Sequence, residues 1–231
     1  GHVDAGAYEY RLTQTAQGAA LHSTNTQVGP NPDPGTPTAP AYRQEVPLLS
    51  ALPAQLRQAD MTMLGDMRTR MGDDAAADAI GQDPSRRAWA RVLRTAPTIT
   101  QQGTVNPESS GHLTGFQAGV DVYANRNFKA GLYVGQLNGD MGVRGFSSGM
   151  ERNYAGYNNL RGRYVGLYGT WQHDSGLYAD AVIQGADYRS SLRTADTGAG
   201  ATTKGHGWLA SLEVGKPFDL GGSWQLEPQA Q

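Results

Sequence analysis

FQAGVDVY at residues 116–123 and WLASLEVG at residues 208–215 decide how this chain folds. In the first, Phe116, Ala118, Val120 and Val122 alternate with Gln117, Gly119, Asp121 and Tyr123. In the second, Trp208, Ala210, Leu212 and Val214 alternate with Leu209, Ser211, Glu213 and Gly215. A repeat of two places each set on one face of a strand. Working outward, strands are expected at 87–100, 112–124, 128–141, 160–172, 177–191 and 204–217, with the start of a seventh at 223–231. Short turns around Asn125–Asn127, His173–Gly176 and Asp219–Gly222 alternate with longer polar or Gly-rich connections at 101–111, 142–159 and 192–203.

In an up-and-down sheet alternate connections lie at opposite ends, so one end should carry short turns and the other long loops. Outer-membrane barrels have that asymmetry. The faces fit it in part. Val165, Leu167, Trp171, Ala179, Ala181, Ile183, Trp224 and Leu226 can face lipid, while Tyr164, Tyr168, Gln184, Gln229 and the carboxylates Asp121, Asp180, Glu213 and Glu227 face a polar lumen. A carboxylate against lipid would be costly. Arg91, Arg161 and Arg163 are the expected counter-charges of that lumen. A soluble antiparallel sandwich, such as a surface adhesin or binding module, shows the same alternation and stands as the alternative.

Composition narrows the function. Hydrophobic residues make up 38% of the 231 residues, with 31 glycines, 12 prolines and a formal net charge of -2; mean hydropathy is -0.53. Turns and glycine therefore dominate over leucine-rich helices, and no basic stripe points to nucleic acid. With no cysteine, disulfides and thiolate metal sites are excluded. No 18-residue apolar run predicts a transmembrane helix, but a transmembrane strand needs only about 10 alternating residues. His2, His22, His112, His173 and His206 are scattered without metal-ligand spacing, so no metal or cofactor is expected. His173, Asp174 and Ser175 are consecutive turn residues, which cannot form a nucleophilic relay. No Gly-rich phosphate motif precedes a helix. No enzyme is expected here.

Upstream, residues 2–12 alternate as one strand, with a hairpin possible if Ala20–Ser23 returns. Pro30, Pro32, Pro34, Pro37 and Pro40 make residues 27–45 an extended linker. From Val46 the period becomes helical: Leu48, Leu52, Leu56, Met63, Met67 and Met71 form one apolar stripe, with Gln55, Arg57, Gln58, Asp60, Asp66, Arg68 and Arg70 on the other faces. Arg68 and Arg70 sit where the helix dipole favours cations, and Gly72 is a natural stop. Pro53 should kink the first turns, or restart the helix with Ser50 as its cap. A helix over 47–71 would be roughly 37 Å long. Residues 73–86 read as a small-residue connector before the strands of 87–231.

The order AGAYEYRL, Pro-rich linker, YRQEVPLLSALPAQLRQ, RTRMGDD, AWARV, GFQAGVDVY, GLYVG, YVGLYGTW, GLYADAV, GWLASLEVGKPF, WQLEPQAQ resembles the C-terminal region of classical, pertactin-like autotransporters of the type V secretion class. The resemblance covers nearly the whole chain. It implies an all-β, antiparallel up-and-down outer-membrane barrel of about 12 strands in a Gram-negative bacterium, with one pore-spanning helix linking a surface passenger to the first strand. Carried over, residues 1–26 are the end of a β-helical passenger, and residues 46–72 are the pore helix, with Arg57, Arg68 and Arg70 among the lumen carboxylates. The implied partners are outer-membrane lipids, periplasmic chaperones, the barrel-assembly machinery and the chain's own passenger. Some relatives cut themselves at an Asn-Asn or Asn-Ala pair in this helix. Gly65 and Asp66 stand there instead, and Asn158 and Asn159 lie elsewhere, so self-cleavage by asparagine cyclisation is not expected. Ending at Gln231 in the seventh strand, the chain should supply about 6 to 7 of the 12 strands, and is expected to be a fragment.

Overall fold

The computed structural model describes residues 2–16, 18–23, 40–65, 88–221 and 224–231. The N-terminal alternation forms three strands, β1 (His2–Ala5), β2 (Tyr8–Thr15) and β3 (Gly18–His22), in an antiparallel meander. These pair as hairpins, whereas the coils of a β-helix would pair in parallel. Helix α1 spans Glu45–Leu64.

After α1 come β4 (Ala88–Thr95), β5 (Thr98–Thr100), β6 (Glu108–Ala124), β7 (Phe128–Ser147), β8 (Met150–Gln172), β9 (Tyr178–Thr194) and β10 (Gly200–Gly215). A small hairpin, β11 (Phe218–Gly221) and β12 (Trp224–Leu226), precedes β13 (Gln229–Ala230). One antiparallel sheet runs β13-β10-β9-β8-β7-β6-β4, with β5 also on β6. It is a single sheet, not two packed face to face, and it curls around α1.

Of the expected long loops only the first persists, shortened to residues 101–107. β7 and β8 meet at the two-residue turn Ser148-Gly149, whose φ values of 52° and 73° are those of a tight hairpin turn. Residues 142–147 and 150–159, expected as loop, are ladder. Likewise β9 continues to Thr194 and β10 starts at Gly200. Apart from 101–107, the asymmetry between the two ends lies in how far the strands project.

Along the outer face Phe116, Val134, Val165, Leu167, Ile183, Trp208 and Leu212 are exposed. In a single sheet this continuous apolar face has no protein partner among the described residues, which favours a lipid-facing wall over a sandwich. Along the strands the band extends from the Val165 level to Trp171, ~20 Å. Tyr123, Phe128 and Trp171 mark its turn end and Phe116 and Trp208 its other end, the aromatic borders of a membrane wall.

Candidate functional site

Helix α1 lies on the concave face. Leu48 and Ala51 pack with Val143, Ala155 and Leu192 near the projecting end, whereas Leu64 packs with Tyr133, Tyr168 and Val182 near the turn end. Between them Leu52, Ala59 and Met63 meet Leu113, Leu137, Leu160 and Tyr164, with Leu56 half-buried at the margin. Glycines make this approach possible. A Cβ on Gly145 would sit 2.7 Å from Pro47 Cβ, and one on Gly135 would collide with the Met63 methyl. The stripe Leu48, Leu52, Met63 is thus a packing surface, but Gln55, placed on a polar face in the sequence, is 1% exposed inside it.

Gln55 is buried because the wall answers it. Its Nε2 donates to Ser109 Oγ at 2.9 Å, and its Oε1 accepts from Asn158 Nδ2 at 2.8 Å. Asn158 also donates to Leu48 O at 2.9 Å. At the other end, the carbonyls left open by helix geometry are capped by the wall: Arg91 Nη2 donates to Met63 O at 2.8 Å, and Gln117 Nε2 to the same oxygen at 3.2 Å. Arg91 also donates through Nε to Gln117 Oε1 at 2.7 Å. A cation here complements the helix dipole. In mid-helix, Tyr188 OH donates to Asp60 at 2.6 Å.

Several expectations are corrected. The helix stops at Leu64 rather than Met71, because Gly65, at φ 59°, turns the chain and donates its N–H to Met61 O. Pro53 is exposed on the far side, so the helix runs past it unbroken, and the Ser50 hydroxyl bonds back to Val46 O instead of capping. Arg57 points away from the sheet and is exposed. Met67, Met71, Gly72, Arg68, Arg70 and Asp66, the connector 73–86 and most of the Pro-rich linker lie outside the described residues.

Asp121, Asp180 and Glu213 are buried on the concave side, with Glu227 half-buried beside them. Tyr168 OH donates to Asp121, Thr170 Oγ1 to Asp180 at 2.5 Å and Tyr178 OH to Glu213 at 2.8 Å. Asp180 and Glu213 are direct cross-strand partners. Arg161 and Arg163 do not join them. They share the outward parity of Val165 and Leu167 on β8 and are exposed. In the turn, His173 Nδ1 lies 3.0 Å from Ser175 Oγ, but Asp174 faces Arg126 at 3.5 Å, so the three form no relay.

At the projecting end the N-terminal meander is seated on the rim. Tyr42 bridges to Tyr8 and stacks on it at 5.5 Å, while Ser148 N–H donates to Tyr42 O at 2.7 Å. Ser148 Oγ donates to Glu9 at 2.6 Å, and Gln44 Nε2 donates to Asp196 at 2.7 Å. His2, Asp4 and Glu9 place ligand atoms within 4.8 Å of one another. Arg43, at 3.5 Å from Asp4, and the Ser148 hydroxyl on Glu9 already engage two of them.

Comparison with known proteins decides what this arrangement belongs to. The family model "Autotransporter beta-domain" matches residues 88–231. This chain belongs to the autotransporter family. It is similar to the adhesin BmaC autotransporter of Brucella suis biovar 1, 30% identical over 99% of this chain and 7% of that protein. BrkA autotransporter of Bordetella pertussis is 25% identical over 99% of this chain and 20% of its own length. Pertactin autotransporter of Bordetella bronchiseptica is 31% identical over 52% of this chain and 13% of its own length. The chain thus spans at most a fifth of these autotransporters. No solved structure matches. The β-domain is the translocator of an outer-membrane protein of Gram-negative bacteria, with a surface-exposed passenger, and the exposed apolar band is the lipid face of its wall.

Of this site, the sequence exposed the helix and the buried carboxylates but missed Arg91, Asn158, Ser109 and Gln117 as fasteners. The available signal was parity: Gln117 shares a face with Asp121, and Asn158 shares one with Leu160 and Tyr164.

Proposed function

We propose that α1 is the lumen tether of the translocator, occupying the barrel after secretion and joining the surface meander of residues 2–22 to β4. The observation that carries this reading is the two-ended fastening of the helix to the concave wall, Asn158 on Leu48 O and Arg91 on Met63 O. Leu52, Leu56 and Met63 seat it, and Arg57, on the far side, meets the rest of the wall. Met67, Arg68 and Arg70 continue the segment beyond Gly65. Arg68 and Arg70, the first basic residues after the helix in sequence, are the proposed neighbours of Asp180 and Glu213, which stand directly opposite each other on β9 and β10. With Asp121 and Glu227 these carboxylates make the acidic seat of the segment. Because Gly65 and Asp66 replace an asparagine pair, the passenger stays attached or is released by another protease.

The domain boundaries follow: passenger end at 1–26, linker at 27–45, lumen segment at 46–72, connector at 73–86 and wall at 87–231. Folding relies on periplasmic chaperones and the barrel-assembly machinery. The translocator performs no catalysis, and because BmaC of Brucella suis and the similar AIDA-I of Escherichia coli are adhesins by name, surface adhesion is the passenger's proposed role. The test is a cysteine pair, Pro47→Cys with Gly145→Cys, whose Cβ atoms would face each other across the helix–wall contact, in the full-length protein in intact cells. The helix seat predicts an oxidised cross-link visible as a mobility shift; two free thiols in folded protein would remove the helix from this seat.

A further inference from the structure

Above the apolar band the outer wall changes character on three strands at one level. Val165, Gly185 and Trp208 are cross-strand neighbours; the next outward row is Arg163, Asp187 and His206, and the next Arg161, Arg189 and Lys204. One row further are Asn159, Ser191 and Thr202, with Arg193 beyond. On β7 the same levels carry Val134, Gln136 and Asn138, and on β6 Ala118, Phe116 and Thr114, so the cations of β8–β10 form a cluster of their own, with Arg94 of β4 on the same row but separated from it by Thr114 and Asn138. All five basic residues of the cluster are exposed, and none forms an ion pair among the described residues. Arg161, Arg189 and Lys204 stand directly side by side, an arrangement that repels unless an anion lies across it. This happens in a chain whose formal net charge is -2.

Three adjoining recesses follow the same order. One of about 450 Å³ is walled by Val165, Gly185 and Trp208; the Trp208 ring lies across Gly185, where a Cβ would come within 3.3 Å. The next, about 230 Å³, is lined by Arg161, Arg163, Arg189 and Lys204 with a single carboxylate, Asp187, among them. The third, about 460 Å³, presents Asn159, Ser191 and Thr202, the last two with their hydroxyls 3.4 Å apart. Apolar, then cationic, then hydroxyl-rich is the sequence of an acyl chain, a phosphate and a sugar. The cluster lies on the passenger side of the band, at the level of the outer leaflet's headgroups. We propose that this face binds one phosphorylated glycolipid of the outer leaflet: Arg161, Arg189 and Lys204 hold its phosphates, Trp208 packs against an acyl chain, and Asn159, Ser191 and Thr202 meet its sugars.

The test is native mass spectrometry of full-length protein purified from outer membranes in mild detergent, titrated with diphosphoryl lipid A, enzymatically dephosphorylated lipid A, phosphatidylglycerol and inorganic phosphate. One diphosphoryl lipid A should bind, and the triple variant R161Q/R189Q/K204Q should bind it roughly 100-fold more weakly. R126Q, at the opposite end, should bind as wild type. If the triple variant does not fold, the wild-type preference for phosphorylated over dephosphorylated lipid A decides alone. Equal binding of dephosphorylated lipid A or phosphatidylglycerol, saturation by inorganic phosphate at the same concentration, or an unchanged affinity in the folded triple variant would overturn the assignment.

Discussion

The outward face of β7, β8 and β9 changes from apolar in the membrane half to polar in the projecting half. In the membrane half the outward residues are Leu132, Leu167 and Ile183, and the inward ones mix Tyr133, Tyr168 and Val182 with Thr170 and Asp180. In the projecting half the outward residues are Asp140, Asn159 and Arg189, and the inward ones are Met141, Leu160 and Leu192. The ladder is continuous through both. Which parity is apolar is therefore set by the medium outside, lipid below and water above, and by the helix inside, whose seat supplies the apolar core where lipid no longer does.

Four substitutions break or sharpen this contrast. The largest effect is expected for Leu160→Ala, at 1% exposure in the projecting half, costing about 2–5 kcal/mol. Urea unfolding of the full-length protein in lipid vesicles measures it, and a loss near zero would mean that the projecting half has no core. Leu167→Arg, outward in the membrane half, should cost roughly 2–4 kcal/mol if the site is near the bilayer midplane. The same titration in detergent, where the headgroup can bend toward the charge, should show a smaller loss. Arg91→Met leaves the Met63 carbonyl with one fewer donor, for about 1–3 kcal/mol; faster proteolysis at residues 61–65 in folded protein is the readout. Arg189→Gln, outward in the projecting half, should leave stability in vesicles free of glycolipid within about 0.5 kcal/mol. A larger loss there would show that the outer wall above the band is packed against protein rather than water.

The change of face also explains what was legible. In the membrane half the alternation is strong: the expected segments 128–141 and 160–172 fall within β7 and β8, and 177–191 matches β9 but for its first residue. Where the parity flips, the period-two signal changes phase, and a window spanning the flip shows no alternation. Residues 142–159 and 192–203 then pass for loops. Ser148-Gly149 was the one local clue, a turn dipeptide with alternating residues on both sides. The same flip misplaced Arg161 and Arg163, assigned to the lumen although they share parity with Val165. The helix was legible by its stripe but not its end, because Gly65 and Gly72 are equally good stops in sequence. The fasteners were not legible, since Gln55, Asn158 and Arg91 are polar residues whose burial depends on partners 54, 103 and 28 positions away.

The seating of Tyr42 on the rim has a mechanical consequence. Residues 41–43 lie between the N-terminal meander and the Ser148 turn, bonded to the first through Glu9 N–H to Ala41 O and Arg43 N–H to Ala7 O, and to the second through Ser148 N–H to Tyr42 O. A pull on the meander from outside the cell is therefore passed sideways into the β7–β8 hairpin, which is held by its neighbours along its length. The first turn of α1 is shielded from that tension, and the helix keeps its seat while the surface domain bears the load.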